Sequence, residues 1–188
     1  MEKDFYIQEV RVGRKVENFT APAFDPQTGE FITVSLQENM DAGKWTILFF
    51  WPKDFTFVCP TEIIGFSDRV ADFAAEDAVI YGVSTDSTHV HQAWTKLDPK
   101  DGGIGKVNFP LVQDSSHALS EAFGILIEEE GVALRGTFMI SPEGVLEHST
   151  INNLNVGRNV EESLRTLTAL KSGGLCPLNW KKGDATLN

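Results

Sequence analysis

The chain has 188 residues, and 27 acidic side chains outweigh 16 basic ones for a net charge of −11. That length suits one well-packed domain and is short for two. The acidic balance argues against nucleic acid or an anionic membrane surface as partners, and no run approaches the about 20 apolar residues of a membrane span.

The segment Met1 to Lys15 mixes charges and lacks the apolar core of a signal peptide, which points to the cytoplasm, where thiols stay reduced. Phe31 to Leu36 alternates as a strand, and Trp45 to Trp51 is an apolar run suited to a central strand buried on both faces. A tight polar turn follows, and a helix then opens at Cys59. Pro60 suits the first helical position, Glu62 stands where a carboxylate bonds back to the cap amide, and Val58 and Ile63 occupy staple positions. Cys59 is thereby predicted to take the cap itself, with the free N–H groups and positive end of the helix favouring its thiolate. Ionisation alone adds modestly to rate, so further groups must act on whatever the sulfur attacks. Ile63, Phe66, Val70 and Phe73 carry this helix to about Ala75.

Val79 to Ser84 reads as a second buried strand, followed by an acidic turn and a helix from Ser87 to Leu97. Asp98 to Gly105 is a loop, Phe109 to Val112 is extended, and a helix covers Ser116 to Phe123. Leu134 to Ile140 and Val145 to Ile151 are strands joined by the hairpin turn Ser141-Pro142-Glu143-Gly144. A last helix starts at the cap Asn159, with Glu161 and Glu162 in its first turn, reaches about Lys171 and stops at Gly173. The succession predicts an α/β three-layer domain over 1–172, a central mixed sheet flanked by helices in the thioredoxin-like arrangement, with 173–188 as a mobile tail.

Cys59 and Cys176 leave open a structural disulfide, two inert buried thiols, or a redox pair. Cys176 lies past a helix stop and beside Pro177, which places it in the accessible tail. His89 and His91 near a helix start lack the further ligands of a metal site, so no metal and no cofactor is expected. Trp94 and Trp180 read as packing residues, with Trp180 placed to pin the tail. Gly102-Gly103-Ile104-Gly105 precedes no Lys-Ser/Thr or helix start and is not a phosphate cradle.

The run Pro52-Lys53-Asp54-Phe55-Thr56-Phe57-Val58-Cys59 has the Pro-x-x-x-Thr-x-x-Cys spacing of peroxiredoxins, and Asp54 to Glu62 resembles their typical two-cysteine branch. Arg135-Gly136-Thr137-Phe138, Gly157-Arg158-Asn159-Val160 and Cys176 to Leu187 resemble segments of the peroxidatic subunit of bacterial alkyl hydroperoxide reductases. The resemblance implies a thiol peroxidase that reduces hydrogen peroxide and organic hydroperoxides. It implies Cys59 as the peroxidatic thiolate, Thr56 as a donor to the sulfur and acceptor from the peroxide, and Pro52 as a shield against water. Arg135 would hold the thiolate and polarise the peroxide, Glu62 and Arg158 would steady the helix as an ion pair, and Cys176 of a neighbouring subunit would resolve the sulfenic acid as a disulfide. A flavin-dependent reductase subunit or a thioredoxin-like protein is the implied reductant, and a homodimer assembled as a ring of five dimers is the implied state. The glycine loop resembles the Gly-Gly-x-Gly of readily overoxidised members, but the companion Tyr-Phe pair is missing, which predicts resistance to overoxidation.

Two other functions compete. A general disulfide oxidoreductase fits the fold, yet its Cys-x-x-Cys is absent because Glu62 stands three residues after Cys59. A chaperone that uses oligomer surfaces needs no active thiol at all.

Overall fold

Every residue of the strand Trp45–Phe50 is buried, because its side chains alternate between two hydrophobic cores on opposite faces of one sheet. In the computed structural model, which describes residues 10–188, Trp45, Ile47 and Phe49 enter one core and Leu48 and Phe50 the other. Most of the charge-mixed segment at the start of the chain lies outside the described residues.

In chain order the strands are β1 (Thr20–Asp25), β2 (Glu30–Ser35), β3 (Trp45–Phe50), β4 (Ala78–Ser84), β5 (Leu111–Gln113), β6 (Leu126–Ile127), β7 (Val132–Ala133), β8 (Arg135–Ile140) and β9 (Leu146–Asn152). β6 and β7 pair only with each other, and the rest form a seven-stranded sheet in the order β2-β1-β5-β4-β3-β8-β9. β3, β4 and β5 run parallel while β8 and β1 join antiparallel, so the sheet is mixed, as the sequence implied. Gly82 of β4 sits opposite Phe49, and a Cβ there would stand 2.7 Å from the Trp51 ring. The close approach requires glycine.

The helices are α1 (Leu36–Asp41), α2 (Cys59–Asp68), α3 (Val70–Ala75), α4 (Thr88–Thr95), α5 (Ala118–Ala122) and α6 (Val160–Ser172), with a 3-10 turn over Pro99–Asp101. Ile63 and Phe66 of α2, Phe73 of α3, Trp94 of α4 and Leu167 of α6 fill the first core. Leu36 of α1 and Leu119 of α5 enter the second. The result is the three-layer arrangement expected. The helix predicted to run unbroken to Ala75 instead breaks at Arg69, whose φ of −107° and ψ of 6° leave the helical region. Arg69 spends its guanidinium on Asp72 and Glu161, and Phe66 and Phe73 still stack at 5.9 Å across the break. β1, α1 and the β6–β7 pair carry no strong periodic signal and were not predicted.

Gly173, with φ of 66°, ends α6 as its sequence position suggested. Residues 173–188 then fold back along α6, with Trp180 buried. Among the described residues, no helix is long and apolar enough to cross a membrane.

Candidate active site

The turn from Pro52 to Val58 is fixed by polar bonds beneath it. Asp54 is buried, its Oδ1 accepts the Trp51 indole N–H at 2.9 Å, and its Oδ2 meets His91 Nδ1 at 2.7 Å. Its own amide donates to Asp86 Oδ2 at 2.8 Å, and Ser84 Oγ donates to the same oxygen at 2.9 Å. Burial raises the Asp54 carboxyl above its usual range, the His91 bond and charge oppose that, and Asp86 reinforces it. The next residue, Phe55, has a left-handed φ of 56°, a conformation bulky residues rarely adopt. Phe57 is 97% exposed at the tip.

Cys59 opens α2 but is not its cap. Val58 already has helical angles, φ −81° and ψ −40°, and its carbonyl accepts from Thr61 N at 3.1 Å and Thr61 Oγ1 at 2.7 Å. Cys59 is therefore the first helical residue and Pro60 the second. The capping box does not form either, because Glu62 turns away to two arginines, whose charged donors outbid a neutral amide.

Arg135, from β8, donates from Nη1 to Cys59 Sγ at 3.3 Å and to Glu62 Oε2 at 2.7 Å. Its Nε donates to the Leu154 carbonyl at 2.7 Å, which fixes the plane of the guanidinium. Arg158 grips the other side of Glu62, its backbone N–H and Nε both donating to Oε1, at 2.7 and 2.9 Å. Arg158 Nη1 also donates to the Gly136 carbonyl at 2.7 Å, and its guanidinium lies 3.9 Å over the Phe49 ring. Burial would push the Glu62 carboxyl up, yet the bonds and charge of Arg158, with the charge of Arg135, hold it below the ordinary carboxylate range. Burial in turn pulls Arg158 down, and Glu62 is the main influence restoring it. Two guanidiniums meet one carboxylate here. The surplus positive charge faces a sulfur whose residue is 0% exposed within the single chain.

Cys59, Arg135, Glu62 and Arg158 are thus brought together. Pro52 is buried at the end of β3. Thr56 lies in the turn, but its hydroxyl donates to the Lys53 carbonyl at 3.1 Å rather than to the sulfur. Cys176 and Cys59 are both free thiols, and Cys176 rests against α6, its Sγ 3.2 Å from Ser172 Oγ. Asp54, Ser84, Asp86 and His91 escaped the sequence reading as site residues. His91, weighed there only as a metal ligand, is fully buried and also meets the Val112 carbonyl through Nε2 at 3.1 Å. The signal available was an acidic residue two positions after Pro52 in a turn otherwise rich in aromatics.

A family model described as the AhpC/TSA family matches residues 12–149. A Bacillus subtilis protein named as a peroxiredoxin, YkuU, is 54% identical over 181 residues, spanning 96% of this chain and 100% of its own. Peroxiredoxin TSA1-B of Candida albicans is 52% identical over 174 residues, spanning 89% of this chain and 88% of its own. Among solved structures, the reduced 2-Cys peroxiredoxin of Plasmodium vivax matches with a TM-score of 0.89 at 35% identity, over 93% of this chain and 91% of its own. AhpC of Enterococcus faecalis matches with a TM-score of 0.82 at 36% identity, over 89% of this chain and 99% of its own.

Proposed function

The chain belongs to the AhpC/TSA family of peroxiredoxins, thiol-dependent peroxidases, and we propose that it reduces hydrogen peroxide and organic hydroperoxides through a sulfenic acid on Cys59 and an intersubunit Cys59–Cys176 disulfide. The observation that carries this reading is the single nitrogen of Arg135 shared between Cys59 Sγ and Glu62. A thiolate at Cys59 balances the surplus charge of the two guanidiniums. The sulfur attacks the terminal oxygen of the peroxide, the O–O bond breaks, and the other oxygen leaves as water or alcohol after taking a proton. Arg135 is free to strengthen its bonds as charge gathers on the departing oxygen, which is acceleration realised in the transition state. Pro52 shields the sulfur from water, and Thr56 exchanges its Lys53 bond for the substrate and the sulfur.

Because Cys59 is fully covered, peroxide enters when the Lys53–Val58 turn shifts. The sulfenic acid then meets Cys176 of the neighbouring subunit: an S–S bond forms, the S–O bond breaks, and hydroxide leaves with the thiol proton as water. The first turn of α2 unwinds and 173–188 detaches as a mobile tail for the sulfurs to reach bonding distance. A cytoplasmic dithiol, supplied by a flavin-dependent alkyl hydroperoxide reductase subunit or a thioredoxin-like protein, reduces the disulfide by exchange. The homodimer assembles as a ring of five dimers. Phe55 and Phe57 lie exposed on the moving turn, so ring contacts made there loosen on oxidation.

Stopped-flow oxidation of the reduced protein, followed by non-reducing electrophoresis, tests the cycle. Rapid loss of peroxide with a dimer-sized band is expected. A protein that leaves peroxide unconsumed would overturn the reading, and a monomer-sized disulfide would move resolution within one chain.

A further inference from the structure

Glu76 follows the last residue of α3 and is only 9% exposed, a place where a carboxylate needs partners. It has two. Lys182 Nζ bonds Glu76 Oε1, while Lys171 Nζ stands 3.5 Å from Oε2 and 3.1 Å from Asp77 Oδ2 and also donates to the Glu76 backbone carbonyl. Lys171 belongs to α6 and Lys182 to the C-terminal segment, so one carboxylate ties helix and tail to the body of the domain.

A second fastening lies two residues upstream. Trp180 is 5% exposed and its carbonyl accepts from Arg165 Nη1 at 3.0 Å, with Arg165 aimed by Glu162 through bonds of 2.6 and 2.7 Å. The Trp180 indole N–H donates to the Asp184 carbonyl at 3.0 Å and Lys181 N to Asp184 Oδ2 at 2.8 Å, which closes 180–184 into a compact loop. Four residues before Trp180, Cys176 Sγ lies in a cradle on α6, 3.2 Å from Ser172 Oγ and 3.7 Å from the Ala169 carbonyl.

We propose that Glu76 and Arg165 are positioning residues for the resolving half of the cycle: they strap Trp180–Lys182 onto α3 and α6 and so set how fast Cys176 leaves its cradle. The proposal rests on the reading of Cys176 as the resolving thiol. A disulfide needs its sulfurs about 2.05 Å apart, so Cys176 must come off α6 first, and the fastenings that follow it by a few residues oppose that motion. Two reactions compete for the Cys59 sulfenic acid. Attack by the Cys176 thiol releases water and gives the disulfide, whereas a second peroxide transfers an oxygen, releases water or alcohol and gives the sulfinic acid. A tighter strap favours the second.

The test uses the full chain in a Cys59→Ser background, where Cys176 is the sole thiol, and measures its labelling by a maleimide. Glu76→Gln and Arg165→Gln are each expected to speed labelling about tenfold, or about 1.4 kcal/mol, and Lys182→Met, which loses a solvent-screened pair, at most about fivefold, while Glu76→Asp keeps the slow rate. Lys182 is 72% exposed, so raising KCl to about 1 M, where the Debye length falls to about 3 Å, should speed wild-type labelling more than that of Lys182→Met, which keeps only the contacts of Lys171 and Arg165. With Cys59 restored, the same substitutions should leave the first oxidation by peroxide unchanged, accelerate disulfide formation and lower the sulfinic acid found by mass spectrometry. Labelling rates that ignore every substitution and salt would overturn the strap, whatever the peroxidase does. Faster labelling with unaltered disulfide formation would overturn its role in resolution, and failure of the wild type to consume peroxide would instead refute the function proposed above.

Discussion

Arg135 and Cys59 are 76 residues apart in the chain, yet Arg135 Nη1 lies 3.3 Å from the sulfur, held there by the bond its Nε makes to the Leu154 carbonyl. The guanidinium is in place before substrate arrives. Removing a preorganised donor of this kind costs about 100-fold to 1,000-fold in rate. Arg135→Ala is therefore expected to slow oxidation by peroxide by at least about 100-fold, measured by stopped flow under pseudo-first-order conditions. A loss below about 30-fold would reduce Arg135 to an aid to ionisation.

Glu62 is the hinge of the charge cluster. Glu62→Gln removes the carboxylate that Arg135 and Arg158 share in the interior and is expected to destabilise the fold by about 3–5 kcal/mol in urea unfolding. The folded carboxyl is held below its usual range, so its contribution is present above the unfolded value of about 4.3 and is lost as pH falls through the folded value. The variant should lack that acid-side component. Equal stability of variant and wild type near neutral pH would refute the assignment.

Asp54 has the opposite sign. His91 Nε2 faces a carbonyl and so carries a hydrogen, which leaves one proton to be shared between Nδ1 and Asp54. Burial raises the folded Asp54 carboxyl, so the stability it contributes is full below the unfolded value of about 3.9 and is lost as pH rises through the raised one. Asp54→Asn should flatten this part of the stability profile. Superimposable profiles for variant and wild type would show that Asp54 does not titrate differently on folding.

Phe57 touches almost nothing in the single chain. Phe57→Asp is expected to leave unfolding within about 0.5 kcal/mol of wild type while reducing the size of the reduced assembly in sedimentation velocity. An unchanged assembly would remove Phe57 from the proposed ring contact.

Local chemistry was readable where neighbours in sequence are neighbours in space. Pro60 and the apolar residues Ile63 and Phe66 announce the start and inner face of α2, and Gly173 its counterpart at the end of α6. The break at Arg69 was not readable, because Ile63, Phe66, Val70 and Phe73 keep helical spacing straight through it. Local spacing assigns Glu62 to a cap, whereas the fold delivers Arg158 from 96 residues away, a pairing that the family resemblance alone implied. Arg135 and Arg158 came into view only through family resemblance, since neither has a local pattern that distinguishes it from a surface arginine. Asp54 is the converse. A charged residue in a turn reads as solvated, and only the approach of α4, with His91 on its inner face, buries it.

Phe55 carries its left-handed φ in the segment that leads straight into the reactive sulfur. A bulky residue held there stores about 1–3 kcal/mol that the surrounding bonds must outweigh. The turn is a loaded spring, and Asp54 is its catch. In the unwinding of α2 proposed above that stored energy would be returned, so the backbone that cradles Cys59 would also help to hand it over.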